Sequence, residues 1–360
     1  MNTAVPQPVL DTPGQEIPLD LPSLCTPLAQ VLDFDCNNFQ RMALYKQETV
    51  RWLANNSFWK EAYKVEHCGE SFIHLKCNLG HEKYVRLYCK CEFCPTCGDD
   101  GSREHKKRTA RARDRLTWAP IIGYLIFTLP GTVSENRPSV QTLKDMQKEA
   151  NDILKRNFNA PGSMSRYHLM GKAVGKLHIH LNILFPLLGT NGLGKVAPEK
   201  LEKIRKEWTF VVNKYFRLSL KNTDIFYSFA ATDKKKYHKI KYVLRPITGT
   251  FEFYTLSNED KKYILSLRGW HNTRWFGKLS NNSYKKYLLS KGIDPARHQD
   301  EDPYLSHVCP VCEGRYRYQG IVSQKDLPRG RLRWLENDIL IDLETYAYLK
   351  EHIDDNAQEG

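Results

Sequence analysis

The segment Leu177 to Phe185, LHIHLNILF, constrains the fold more than any other stretch of this 360-residue chain. Side chains alternate along a strand, so Leu177, Ile179, Leu181, Ile183 and Phe185 share one apolar face while His178, His180 and Asn182 share the other. That pattern requires a sheet that is buried on one side and carries polar groups on the opposite side. Cα atoms two residues apart on a strand lie about 6.5 Å apart, and both imidazoles can then reach one divalent ion through bonds of about 2.1 Å. The preceding segment, SRYHLMG, folds back over a turn near Gly171 to Gly175. An antiparallel register closing there puts His168 opposite the 178–180 region and makes it the expected third ligand. Taken alone, a half-exposed strand that happens to hold two histidines accounts for the motif equally well.

The surrounding pattern extends this sheet. IIGYLIFTL, bounded by Pro120 and Pro130, predicts a buried strand. Ser139 caps a helix whose Leu143, Met146, Ala150, Ile153 and Leu154 recur at three- and four-residue spacing. A hairpin over 165–186, a helix over 198–217, a strand over 224–231, a helix over 233–244 and a strand over 251–256 follow. Residues 40–66 carry a further helical stripe that includes Met42, Tyr45, Trp52 and Leu53. This order predicts an α+β fold, an antiparallel β-sheet with helices packed on one face, plus a cysteine-rich zinc-binding module ahead of it.

Charge narrows the class of partner. The chain has 54 Lys+Arg against 41 Asp+Glu, a formal net charge of +13. Residues 1–40 hold five acids and no Lys or Arg, and residues 335–360 hold eight acids and one Lys, so the body 41–334 carries +25. A basic body between acidic ends predicts a polyanion partner. Residues 103–115 alone hold seven Lys/Arg, either as an exposed helix face or as a DNA-contacting arm. With 41% hydrophobic and 26% charged residues, the chain as a whole reads as neither disordered nor membrane-embedded. Its longest apolar run, Ile121 to Leu129, is far short of the ~20 residues of a membrane span. No basic-then-apolar segment opens the sequence, so a cytoplasmic location is expected.

Seven of the ten cysteines fall into two clusters. Such tight spacing in a long chain without a secretion signal predicts metal binding rather than disulfides. Cys77, His81, Cys89, Cys91, Cys94 and Cys97 offer more ligands than one tetrahedral zinc uses. The knuckle Cys94-Pro95-Thr96-Cys97 is the surest half, Cys77 and Cys89 the expected completion, and His81 and Cys91 the alternates. Cys309 and Cys312 form a second CPxC knuckle for a second zinc, whose remaining ligands would be left over from the first cluster or include His307.

Asp233 to Arg245 reads DKKKYHKIKYVLR. Tyr237 and Tyr242 are five apart, about 140° around a helix. A phenol with a pKa near 10 is a poor nucleophile at neutral pH. Cations such as Lys241 and Arg245 favour the phenolate, and a metal on a scissile phosphate lowers the barrier to its attack. By itself the segment reads first as a basic amphipathic helix.

Three segments in this order resemble the HUH endonucleases that initiate rolling-circle replication. Phe127-Thr128-Leu129 ends a strand like their first motif, His178-Ile179-His180 is similar to their metal motif, and Lys241-Tyr242-Val243-Leu244-Arg245 is similar to their tyrosine motif. A Cys-Pro-x-Cys zinc motif ahead of the catalytic sheet is also common among plasmid and archaeal initiators and the related rolling-circle transposases. The resemblance implies the family's HUH endonuclease or RRM-like sheet, with Mg²⁺ or Mn²⁺ at His178 and His180 on its open face and a nucleophile at Tyr242. Relatives often hold a second Tyr or a Glu four residues before the tyrosine. Here that slot is His238, with Tyr237 beside it, so one or two tyrosines remain open. The activity implied is nicking of single-stranded DNA at a replication origin, through a 5′-phosphotyrosine and a 3′-OH primer, with host replication machinery as a further partner.

The expected organisation is then an acidic, proline-rich disordered tail (1–39), a helix and zinc module (40–118), the HUH catalytic domain (119–260), a C-terminal extension with the second knuckle and a candidate DNA contact (261–334), and an acidic tail (335–360). Within the extension, Trp270, Trp275 and Phe276 near Arg274 and Lys278 read first as core aromatics and second as base-stacking groups. Arg315, Arg317, Arg329, Arg331 and Arg333 read as a solvated face. Two other functions suit the same residues: a rolling-circle transposase with the same chemistry, and a non-catalytic zinc protein that binds DNA through its basic body.

Overall fold

The computed structural model describes residues 36–98, 103–170, 176–187, 194–246, 253, 256–290, 292, 308–328, 330–336 and 339–357. The chain divides into Met1–Leu44 and Tyr45–Gly360. Of the first unit only the opening of a helix is described; both sheets lie in the second. The elements run α1 (Cys36–Asn55), α2 (Trp59–Glu66), β1 (Ser71–Lys76), β2 (Glu82–Arg86), α3 (Arg103–Leu116), β3 (Ile121–Thr128), α4 (Gly131–Glu135) and α5 (Val140–Phe158). They continue through β4 (Gly162–Met170), β5 (Leu177–Leu187), α6 (Pro198–Phe216), β6 (Ile225–Ala230), α7 (Asp233–Val243), α8 (Asn258–Ser266), β7 (Arg274–Gly277) and α9 (Asn281–Ser290). The last are β8 (Arg317–Ser323), β9 (Leu332–Glu336), β10 (Ile339–Asp342) and α10 (Leu343–Ala357).

The first sheet has the order β6-β3-β5-β4-β7 with every pairing antiparallel. Its alternation decides its layers. Ile179, Leu181, Ile183 and Phe185 of β5 are fully buried, in one core with Leu143, Met146 and Ala150 of α5 and Trp208 and Val212 of α6. Each such aliphatic or aromatic side chain contributes about 1.5–3 kcal/mol by leaving water. Ser139 caps α5, its hydroxyl accepting from the Thr142 amide, as its sequence position predicts. The opposite face carries a smaller helical layer. Ile122, Tyr124, Met164 and Leu184 pack there against Ala112 and Leu116 of α3 and Ile240 and Val243 of α7. The α+β class is as expected, and this second layer brings the tyrosine helix over the histidine face.

The other sheet, β8-β1-β2-β10-β9, is also antiparallel throughout. It joins residues 71–86 to residues 317–342, so the cysteine-rich region and the C-terminal extension form one structure. The stretch expected as an acidic tail over 335–360 supplies the end of β9, all of β10 and α10. The reason is local: Ile339, Leu340 and Ile341 are buried and pair with β2, an apolar triplet that the net charge of the segment conceals. Residues 1–35, most of the strand expected over 251–256, and His307 and Arg329 lie outside the described residues.

Candidate active site and thiol clusters

The β4–β5 register sets the site. His168 and His180 are directly paired across the two strands, and Thr128 of β3 pairs with His180 on its other side. The His168 and His180 rings lie 5.2 Å apart by centroids, and His178 and His180 5.6 Å apart. Each buried ring has a defined tautomer. His168 Nε2 donates to the Val243 carbonyl at 3.0 Å and His180 Nδ1 to the His178 carbonyl at 3.0 Å, which leaves His168 Nδ1 and His180 Nε2 with their lone pairs. Burial, and the neighbouring His180, push His168 down to about 3. Burial also lowers His180. Both are therefore neutral at pH 7, the form in which imidazole ligates a metal. His178 is exposed at the rim. The donor set suits a divalent ion bound with open positions, although its nitrogens are spread more widely than the two sulfur groups described below.

Helix α7 is held over this face. Thr232 caps its start, accepting from the Lys235 amide. Two of its C-terminal carbonyls, which a helix leaves without internal partners, and the Arg245 carbonyl just beyond its end accept from side chains. His105 Nε2 of α3 donates to Lys241 O at 2.8 Å, His168 to Val243 O, and Arg166 Nε to Arg245 O at 3.0 Å. Tyr242 is 38% exposed. Its ring lies 5.5 Å from that of His168 and 6.3 Å from that of Tyr124, and the Arg245 guanidinium sits 4.8 Å over it. The structure thus brings together His168, His180, Tyr242 and Arg245. His238, four residues before Tyr242 and about 40° round the helix from it, is exposed one turn earlier. Tyr237 is not brought to the histidines; it lines a groove between α7 and α3.

Several groups escaped the sequence reading. Tyr124 donates to Asn182 Oδ1 at 2.6 Å on the floor of the site. Lys239 Nζ lies 4.8 Å over the Tyr124 ring and donates to Ser228 Oγ at 2.7 Å. Arg166 is 2% exposed, and besides Arg245 O it donates to Thr273 Oγ1 and, at 2.6 Å, to Glu92. Arg166 could have been found by continuing the alternation from His168, as Asn182 follows from His180; nothing local marks Tyr124 or Glu92.

Two thiol-rich groups have ligand atoms within 4.8 Å of one another: Cys68, Cys89, Cys94 and Cys97, and Cys77, His81, Cys309 and Cys312. Each could hold a structural zinc. Their composition corrects the expected assignment. Cys77 does not complete the first knuckle; Cys68 does, and Cys91 belongs to neither group. His81 joins Cys77 and the second knuckle. The β1–β2 hairpin explains this. Cys77 and His81 flank its turn, whereas Cys68 and Cys89 flank its open end, and six residues of β1 separate the two ends by about 20 Å. One ion cannot span that distance. In the second group His81 Nδ1 is 3.4 Å from Cys77 Sγ and 3.3 Å from Cys309 Sγ, while its Nε2 faces Glu344 at 3.3 Å. A carboxylate behind a histidine is a common support for a metal ligand. Each group also has an acidified thiol. Hydrogen bonds from Cys68, Cys89 and Cys97 hold Cys94 below the ordinary thiol range. Burial would raise Cys77, but hydrogen bonds from Cys312, from the Leu79 and His81 backbone and from the His81 ring bring it to about 7.

The aromatic segment is half-buried, and Trp270 and Trp275 border a cleft with Arg274 and Lys144. Trp270 packs on Tyr167, and Trp275 lies under the Arg115 guanidinium at 4.5 Å. No helix among the described residues is long and apolar enough to cross a membrane.

No known family profile matches the chain, and no solved structure matches it. A curated relative does: the transposase for insertion sequence element IS801 of Pseudomonas savastanoi pv. phaseolicola, 25% identical over 166 residues. The match covers 42% of this chain and 39% of that transposase, so it spans well under half of the relative.

Proposed function

We propose that this chain is a DNA-nicking and strand-transfer enzyme of the HUH kind, with Tyr242 as nucleophile. The observation that carries the reading is the register that pairs His168 with His180 and sets the Tyr242 ring 5.5 Å from His168. His178, His180 and His168 would hold Mg²⁺ or Mn²⁺, which supplies Lewis-acid polarisation of a scissile phosphate. Tyr242 Oη attacks the phosphorus of a single strand, the P–O3′ bond breaks, the phenolic proton passes to solvent, and the leaving O3′ takes a proton from solvent. The products are a phosphotyrosine at the 5′ end and a free 3′-OH. Arg245, whose guanidinium lies 4.8 Å over the Tyr242 ring, meets the phosphate charge. A later 3′-OH attacks the phosphotyrosine, restores the phosphodiester and releases Tyr242. The thiol groups serve as structural zinc sites.

Initiation of rolling-circle replication at an origin, with host replication proteins taking over the 3′-OH, is the first use of this chemistry. Transposition is the second, and the match to a transposase favours it. The test of the shared site is cleavage of single-stranded DNA from the element's own ends or origin by the full chain. His178→Ala with His180→Ala is expected to abolish Mn²⁺-dependent cleavage while leaving zinc content intact. Undiminished cleavage by the double variant contradicts the site.

A further inference from the structure

Tyr237 and its surroundings have no part in the chemistry above, yet they form a built groove. It has a volume of about 170 Å³ and is lined by Lys106, Thr109, Ala110 and Arg113 of α3 and by Tyr237 and Lys241 of α7. Lys106, Thr109 and Arg113 are spaced three and four apart, so they share one face of α3; Tyr237 and Lys241, four apart, share one face of α7. The His105 bond to Lys241 O fastens the two helices together beside them. Among the described residues the lining holds three cations and no carboxylate; Asp114 stands outside it, 4.0 Å from Arg113 Nε. Thr109 is 4% exposed, and its Oγ1 is buried without a hydrogen-bond partner. A buried hydroxyl ordinarily finds an acceptor within the fold. Here the residue that carries it lines a cationic groove, which is the environment of an anionic oxygen. Tyr237 is 44% exposed at the mouth, where a ring can stack on an unpaired base.

We propose that this groove binds a backbone phosphodiester of single-stranded DNA. Thr109 Oγ1 donates to a non-bridging oxygen, Arg113, Lys106 and Lys241 neutralise it, and Tyr237 carries an adjacent base. The proposal rests on the nicking reading for its substrate. It extends that reading by giving the strand a second grip about 7.5 Å along α7 from Tyr242, and by giving Tyr237 a role other than second nucleophile.

The experiment measures binding of a short oligo(dT) strand to the full chain across a salt series, for wild type, Thr109→Val, Arg113→Gln and Lys206→Gln. Lys206 is exposed on α6, in the helical layer on the other face of the sheet, and controls for net charge. Arg113→Gln is expected to weaken binding about tenfold and to reduce the slope of log K against log salt by about 0.7, one phosphate contact on a single strand. Thr109→Val is expected to weaken binding roughly three- to tenfold with the slope unchanged, and to melt no lower than wild type, because its hydroxyl makes no bond within the chain. Wild-type affinity in both groove variants, equal losses in Arg113→Gln and Lys206→Gln, or no binding of oligo(dT) by wild type overturns the proposal. Groove variants that lose binding while no tyrosine adduct forms with any DNA tested leave the groove standing and remove the nicking reading. Adduct formation with unaltered binding in the groove variants does the reverse.

Discussion

The two thiol groups sit at opposite ends of one hairpin and do different work. Cys68, Cys89, Cys94 and Cys97 come from 30 consecutive residues and are packed into the main core beside Phe93 and Val65. Cys77 and His81 meet Cys309 and Cys312 more than 200 residues away, in a separate small core with Tyr316. The first group is linked to the site by a side chain of its loop. Glu92, inside its loop, accepts from Arg108 and from Arg166, and Arg166 holds the carbonyl of Arg245. The second group joins the ends of the other sheet, and its histidine is backed by Glu344 at the start of α10. The first group thus supports the segment that carries Tyr242, and the second staples distant chain segments.

That contrast can be broken in order of effect. Cys94→Ser is expected to release one of two zinc equivalents, to lower the melting temperature sharply, and to abolish nicking, because structural zinc contributes on the order of 10 kcal/mol to a small fold. Cys309→Ser is expected to release the other equivalent while nicking survives. Elemental analysis with a cleavage assay on both variants checks the pair, and equal loss of nicking from both would erase the distinction. Glu92→Gln keeps the metal but leaves the buried Arg166 without its carboxylate, at a cost of about 3 kcal/mol. Denaturant unfolding should show that loss, and cleavage should fall with zinc content unchanged. Glu344→Gln is the mildest change. It is expected to weaken zinc at the second group about tenfold, read by chelator competition, with stability nearly unchanged.

The contrast also explains what could be read in advance. The first sheet was legible because its strands alternate or run apolar, and the alternation of LHIHLNILF placed His178 and His180 on one face before any register was known. The β4–β5 pairing then put His168 where the turn predicted it. Ligand partition was not legible from cysteine spacing. Cys77 is nearer in sequence to the Cys94 knuckle than to Cys309, but β1 and β2 carry it to the far end of a hairpin. Strand readings of SFIHLK and EKYVR would have separated the ligands into two groups, and Cys68, next to Gly69 at the open end, would then have entered. The acidic C-terminal segment misled for a related reason, since net charge says nothing about the three buried aliphatics of β10. Arg166 and Glu92 join strands to loops 74 residues apart, and no local pattern encodes such a pair.

The central claim is that Tyr242, on a helix pinned over the histidine face, becomes covalently joined to DNA. The direct measurement incubates the full chain with single-stranded DNA from the ends or origin of its own element and Mn²⁺, isolates a denaturant-resistant adduct, and maps the modified peptide by mass spectrometry. The account predicts a phosphotyrosine at Tyr242 that disappears in Tyr242→Phe and on removal of the divalent ion, and that forms without modification of Tyr237. An adduct mapped to Tyr237, or one that persists undiminished in Tyr242→Phe, would contradict it.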